Sequence, residues 1–370
     1  MRWILPVCAL ALLACTTDVS PDVGFGTGGT VVFGAWNVSG VGDGVRGMTA
    51  TPSGLVVATG AVLYACSRDG GCGNGNAIYA VNGATGERAS IARVAADDTR
   101  VYWTEIIEGT TPQGRVKSCE VVGCSSPVEI FAGAGATLGT DIGTTDLGFL
   151  AVDQGLVYWT SRDTTSSGQT VLTLSVRPAS GVIGPPQTIT LPAAMTPMRI
   201  ANGVLYGTVA STAGASLVSC PVGPSAPSCD SPPTLVSWLD VQWADVDGQT
   251  VYFDAFDPNT RLESVYACTP SCAEPTAIYP SASSVFAVQD GVVYGVASGG
   301  LGSCTVASCA GGLVPFDLPF SPVGFGGDEP PPNIVLDPRG GAYAYAQYRP
   351  PLPNVGLDTP AVLGIVHVPN

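Results

Sequence analysis

The stretch Asp153-Gln154-Gly155-Leu156-Val157-Tyr158-Trp159-Thr160 sets a polar turn ahead of a run of β-branched and aromatic residues, and looser versions of it recur along the chain. Glycine takes positive φ at no steric cost, and Val, Tyr, Trp and Thr prefer a pleated strand, so each version predicts a tight turn followed by a β-strand. Aligned on the tyrosine, the copies are Val62-Leu63-Tyr64, Val101-Tyr102-Trp103-Thr104, Val157-Tyr158-Trp159-Thr160, Val204-Leu205-Tyr206, Val251-Tyr252-Phe253, Val292-Val293-Tyr294 and the weaker Gly341-Ala342-Tyr343. An Asx residue precedes most of the tyrosines by four to six positions: Asp97 and Asp98, Asp153, Asn202, Asp247, Asp290 and Asp337. Subtracting residue numbers gives tyrosine intervals of 38, 56, 48, 46, 42 and 49. Repeats of about 40–50 residues, each holding four short strands, predict an all-β, seven-bladed β-propeller.

The innermost strand of each blade is expected just before its motif: Leu55 to Ala58, Arg93 to Ala96, Phe149 to Val152, Met198 to Ala201, Val241 to Val246, Val285 to Val288 and Ile334 to Leu336. Third and fourth strands should follow, as in Val171 to Val176 and Gln187 to Leu191. The seventh unit runs out after Ala342 to Gln347 and Val362 to Val368, while Val31 to Trp36 has no blade of its own. An open ring leaves an exposed sheet edge, so residues 31–38 are expected to complete the last blade.

Cysteine usage adds a second regularity. Cys8 and Cys15 lie in the N-terminal leader, and the other ten form close pairs: Cys66/Cys72, Cys119/Cys124, Cys220/Cys229, Cys268/Cys272 and Cys304/Cys309. Five local disulfides are expected in an oxidising compartment, the last four at one place in their repeats, just after a strand such as Arg115 to Ser118. Each pair falls on a different repeat with no histidine near it, which argues against zinc.

The Asp, Gly, Val-Tyr-Trp-Thr pattern with a Cys pair on the following hairpin resembles the propeller lipoproteins related to the YWTD and NHL repeat families. The resemblance covers nearly the whole mature chain, and Val101 to Glu105 and Val157 to Thr160 match it most fully. Elsewhere Ala65, Gly207, Phe253 and Gly295 stand in place of Trp. The resemblance implies a ring of blades that binds other molecules, and it transfers no catalytic residue.

Arg2, the apolar Trp3 to Leu13 and the small residues before Cys15 read as a secretory signal over residues 1–14, too short to span a bilayer. Leu12-Leu13-Ala14-Cys15 resembles the lipobox of bacterial lipoproteins, which implies lipid on Cys15. Thr16 rather than Asp follows the cysteine, and in that family this favours the outer membrane, facing periplasm or cell surface. Residues 15–29, small and Gly-rich, form a flexible tether, and residues 30–370 form the propeller. The chain has 370 residues, of which 45% are hydrophobic and 12% charged, with 48 Gly and 31 Pro, so no helix of consequence is expected. Net charge is −15, and −16 once Arg2 leaves with the signal. With Lys117 the single lysine, nucleic acid and anionic lipid are poor partners, and membrane contact is expected only through the lipid. The expected partner is a protein or glycan, and the expected state is a monomer.

Candidate chemistry is sparse. His367 is the only histidine and lies on an alternating strand at the C-terminal end, where a strand role is expected. No GxSxG elbow, phosphate-cradling loop or HExxH is present. Asp254, Asp257 and Asn259, with Asp245 and Asp247 before them, could hold calcium, although the spacing matches no EF-hand and solvated turn residues are the favoured reading. No other cofactor is implied. Loops between blades should share a face with the loops after the motif strands, collecting Asp141, Asp146, Trp238, Asp240, Asp328 to Pro332 and Arg349 to Pro353. Trp238 and Asp240 are the expected contacts, and Trp243 is expected in the core. The resulting expectation is a binding or scaffolding module without catalysis. The alternative is a metal-dependent hydrolase or lyase resembling propeller lactonases, with carboxylates meeting at the central channel.

Overall fold

A computed structural model describes residues 30–36, 45–67, 77–81, 88–108, 113–134, 149–164, 170–180, 185–211, 214–223, 229–269, 272–280, 286–297, 300–316, 322–324, 334–348 and 362–368. The signal, the tether and Cys15 lie outside them. The described residues form seven small antiparallel sheets and one 3-10 turn, Cys309–Gly311, with no α-helix. The third blade shows the pattern: Leu150–Asp153, Leu156–Thr164, Thr170–Pro178 and Gln187–Leu191 pair in chain order. The first strand of each blade touches the first strands of both neighbours, and Ile334–Leu336 of the seventh touches Val45–Thr51 of the first. The chain is therefore a closed seven-bladed β-propeller with the first strands innermost.

Burial explains the motif. Seven apolar clusters lie one between each pair of neighbouring blades, including Met48, Leu55 and Val57 of the first against Tyr343 and Ile365 of the last. Side chains alternate along a strand, so Val157 and Trp159 enter the cluster shared with the second blade while Tyr158 enters the one shared with the fourth. One Val-Tyr-Trp thus glues a blade to both neighbours. Trp103 packs on Tyr79, and Trp159 on Phe131, each from the outer strand of the preceding blade, at ring separations of 4.7 Å and 5.4 Å. Where Gly295 replaces Trp, a Cβ would lie 2.7 Å from the hydroxyl of Tyr279, again from the preceding outer strand. Tyr279 occupies the place the missing indole leaves.

The turns are built for left-handed backbone. Gln154 and Gly155, Asn202 and Gly203, and Asp290 and Gly291 all have positive φ, as a two-residue primed hairpin turn requires. The same Asx residues also tie blades together. Asp153 Oδ2 accepts from the Gly203 N–H at 2.7 Å, Asn202 Nδ2 donates to the Gly248 carbonyl at 3.2 Å, and Asp247 Oδ2 accepts from the Gly291 N–H at 2.8 Å. Blades three to six are therefore linked in series by the turn that starts each motif.

Closure follows expectation. Thr30–Trp36 runs antiparallel to Val362–Val368 as the outer strand of the seventh blade, with Val31 opposite Val366. The first blade differs from the sequence reading. Leu55 to Ala58 belongs to the second strand, Gly54–Thr59, and Tyr64 lies on the third, Val62–Ser67; the innermost strand is Val45–Thr51. Leu55 pairs with Ala50 as Val157 pairs with Val152, so Val56 stands where the other blades have tyrosine. The interval to Tyr102 is then 102 − 56, or 46 residues, which removes the short first repeat.

The seventh inner strand also departs from expectation. Pro322–Gly324 and Ile334–Leu336 both pair with Ala342–Tyr348. The segment Asp328 to Pro332 lies outside the described residues.

Candidate functional site

The topology gives the ring two unlike ends. One carries the turns between first and second strands and the connections from third to fourth. The other carries the hairpins between second and third strands and the links between blades. The described bridges Cys119–Cys124, Cys220–Cys229, Cys268–Cys272 and Cys304–Cys309 all lie at the first end. Their first cysteines occupy one register position, opposite Val101, Leu205, Val251 and Val293, the residue before each motif tyrosine. Cys66, also disulfide-bonded, sits opposite Leu55 in that same position once the first blade is read correctly; its expected partner Cys72 lies outside the described residues. Arg177 and Val368 take the place in the two blades without cysteine. The N-terminal strand enters at this end too, since Thr30 faces His367 and the adjoining Val368 faces Ala342 just beyond the inner turn.

The opposite end bears the candidate site, at the fifth blade. Trp238 lies in the link from the fourth blade, two residues before Asp240, and Asp240 pairs with Phe256. Asp257, the next residue, pairs with Leu262 across the hairpin. Trp238 is 49% exposed, Phe256 37% and Leu262 60%, half of the six exposed large hydrophobics among the described residues, with Leu262 on the face of the sheet that Asp257 shares and Phe256 on the opposite one. The link bearing Trp238 is held rather than loose. Asp240 Oδ1 accepts from the Ala215 N–H at 2.8 Å, and Gly214, at φ +122°, leaves room for it because a Cβ there would lie 3.1 Å from the carboxylate. Trp238 meets the buried Tyr266 edge-on at 6.5 Å, and Tyr266 stacks on Phe253 at 5.4 Å. Of the other residues expected on this face, Asp141, Asp146 and Arg349 to Pro353 lie outside the described residues.

The proposed calcium ligands are brought to separate tasks. Asp257 accepts from the Asn259 N–H and from Thr260 Oγ1, which caps its own turn and holds its carboxyl below the usual carboxylate range. Asp245 accepts from the Val246 N–H, and from the Val288 N–H of the sixth blade at 2.9 Å, and pairs with Arg199 of the fourth at 3.2 Å. It thus joins three blades. Asp254 is fully buried in mid-strand. Among the described residues no three His, Cys, Asp or Glu side chains gather to hold a metal ion. Trp243 is partly buried against the cluster between the fifth and sixth blades.

In the second and seventh blades the Asx residue partners the motif tyrosine itself. Tyr102 donates to Asp97 at 2.7 Å and Tyr343 to Asp337 at 3.3 Å. Burial would raise the Asp97 pKa, but hydrogen bonds from Thr99, Tyr102 and Arg100 outweigh it and leave it lowered. Burial, with Asp97 beside it, raises Tyr102 far above the ordinary tyrosine value. His367 is buried with its Nε2 3.1 Å from Asp337 Oδ2, at the seam where the two chain ends pair.

One cluster has no counterpart in the sequence reading. Glu105, 1% exposed, accepts from Tyr79 at 2.6 Å and from the Trp103 indole at 2.8 Å, and its other oxygen lies 2.8 Å from the Lys117 ammonium. Lys117 also donates to Tyr79 at 3.1 Å. Burial alone would lower the Lys117 pKa, but its hydrogen bonds to Glu105 and Tyr79 leave it raised. The only signals were a lone lysine and a glutamate two residues beyond a motif tryptophan.

No protein-family model and no curated protein matches the sequence. Among solved structures the ring is similar to a prolyl endopeptidase, with a TM-score of 0.54 at 15% identity over 93% of this chain and 48% of that one. The chain thus spans about half the length of that structure. It is also similar to the CNH domain of AfRom2, with a TM-score of 0.49 at 9% identity over 92% of this chain and 98% of that one. For a nidogen/laminin complex the TM-score is 0.38 at 15% identity over 63% of this chain and 78% of that one. At such identities the likeness shows the fold alone.

Proposed function

We propose that this propeller is an exported, lipid-anchored binding module that acts through the end bearing Trp238 and Asp240 and performs no catalysis. The observation that carries the reading is an exposed tryptophan, edge-on against Tyr266 and two residues from an Asp240 tied to Ala215, at the end opposite the one where the N-terminal strand enters. A rigid aromatic on a loop that is already ordered binds with little entropic cost. The four described disulfides fit an oxidising compartment, and no helix of the described residues is long and apolar enough to cross a membrane. Attachment then falls to Cys15, on the outer membrane. Replacing Cys15→Ala is expected to move the protein from the membrane fraction to the soluble exported fraction, with loss of the lipid mass from the N-terminal peptide. An unmodified Cys15 in the parent, or a variant that stays with the membrane, overturns the anchor.

A further inference from the structure

We infer that the seam closing the ring is a pH-responsive latch: His367, the chain's single histidine, holds a proton more tightly when the N-terminal strand and the first blade are in place, so the seam is firmer in mild acid and loosens as pH rises. One register position sets His367 apart. The residues opposite the motif tyrosines are Ser118, Val176, Ser219, Ala267 and Ser303 in the second to sixth blades, and Ala65 stands opposite Val56 in the first. All six are neutral at any pH. Only in the seventh blade, which both chain ends share, does a titratable side chain hold this place, with His367 opposite Tyr343 and next to Thr30 of the N-terminal strand. Residues directly opposite each other share a face of the sheet, and Tyr343 lies in the cluster with Met48, Leu55 and Val57, so His367 is on the face turned to the first blade.

Its partner is a carboxylate. Asp337, 1% exposed, accepts from the Arg339 N–H at 2.9 Å and from Tyr343 at 3.3 Å, and its Oδ2 lies 3.1 Å from His367 Nε2. Protonation turns this contact into a buried ion pair, and taking one charge from such a pair leaves the other desolvated, so attraction to Asp337 outweighs the burial of the ring. The Tyr343 ring, 4.6 Å from the imidazole, adds a π-face that holds a cation better than a neutral ring. Closure is then favoured most below the midpoint of the open seam, and the advantage is lost as pH rises through the midpoint of the closed one. Among the described residues the other titratable or charged groups around His367 are Tyr343, Arg339 with its exposed side chain, and Tyr64 of the first blade, whose hydroxyl burial pushes up; Thr30–Trp36 carries none. Carboxylates, tyrosine and arginine ordinarily keep one charge state between about pH 5.5 and 8.5, so a response in that window belongs to His367.

The test uses the mature full-length protein. A single histidine gives a single imidazole signal, and its NMR titration midpoint in the folded protein is expected above that of the same residue in the urea-denatured chain. Hydrogen exchange, read by peptide mass spectrometry over about pH 5.5 to 8.5, then compares the parent with His367→Gln, whose amide can donate to Asp337 but cannot take up a proton. The ratio of parent to variant at each pH cancels the intrinsic pH dependence of exchange. In that ratio, opening of Thr30–Trp36 is expected to rise about 10-fold across the range while Leu156–Thr164 of the third blade does not move. A folded midpoint at or below the denatured one, or the same pH dependence of Thr30–Trp36 in parent and variant, overturns the inference. An equal response in the third blade overturns the placement at the seam. The NMR titration uses the parent alone, so it decides the matter if His367→Gln fails to fold.

Discussion

Reducing the disulfides should unfold the ring rather than loosen it. The four described bridges close loops with sequence separations of 5, 9, 4 and 5. Loops this short constrain the unfolded chain by about 2 kcal/mol each, or about 8 kcal/mol together. A typical domain has a total stability of about 5–15 kcal/mol, so the sum is comparable with everything that holds the native state. Their common register sharpens the expectation. Each bridge clamps the connection that leads to the outer strand onto the end of the third, and outer strands as short as Thr234–Val236 and Val314–Pro315 have few ladder bonds of their own. Those strands also supply the aromatics that fill the interblade slots, such as Tyr79, Phe131 and Tyr279. Chemical denaturation with and without reductant should show the midpoint collapsing on reduction. A reduced protein with an unchanged midpoint would mean the bridges decorate a ring that packing alone sustains.

Glu105→Ala should be the most damaging single substitution among the charged residues. It removes the acceptor of Tyr79 and of the Trp103 indole and leaves Lys117 without its carboxylate at the seam of the first and second blades. Removing one partner of a buried ion pair costs about 3–5 kcal/mol, because the other charge stays desolvated. Lys117→Met alone should cost less than Glu105→Ala, since Tyr79 and Trp103 keep their acceptor. The double variant Glu105→Leu with Lys117→Met should recover much of the loss, because it buries no charge. Denaturation of the parent, Glu105→Leu, Lys117→Met and the double variant closes this cycle. Additive losses would show that the two charges do not act as a pair.

What was legible in the sequence was whatever repeats locally. Alternation in Val157-Tyr158-Trp159 encodes contact with two neighbours, and the Asx residues at a steady offset mark the turn that starts each motif, so the blade count and the closing strand could be read directly. The first blade misled because Tyr64 imitates a motif tyrosine one strand late while Val56 holds the true place. Contacts that depend on which blades meet were not legible. Glu105 is completed by Tyr79, 26 residues earlier, and Asp245 reaches Arg199 on one side and Val288 on the other. The same applies at Trp238. Trp238 and Asp240 could be singled out as loop residues, but their contacts with Tyr266 and Ala215 could not.

The account depends on both chain ends sharing one blade. Hydrogen exchange of the mature protein, read by peptide mass spectrometry, tests it directly. Thr30–Trp36 and Val362–Val368 should be protected together and lose protection together as denaturant is raised, because each strand supplies the other's ladder partners. Exchange of residues 30–36 at the rate of a free tail, with 362–368 protected only on the side facing Ala342–Tyr348, would contradict the closed ring.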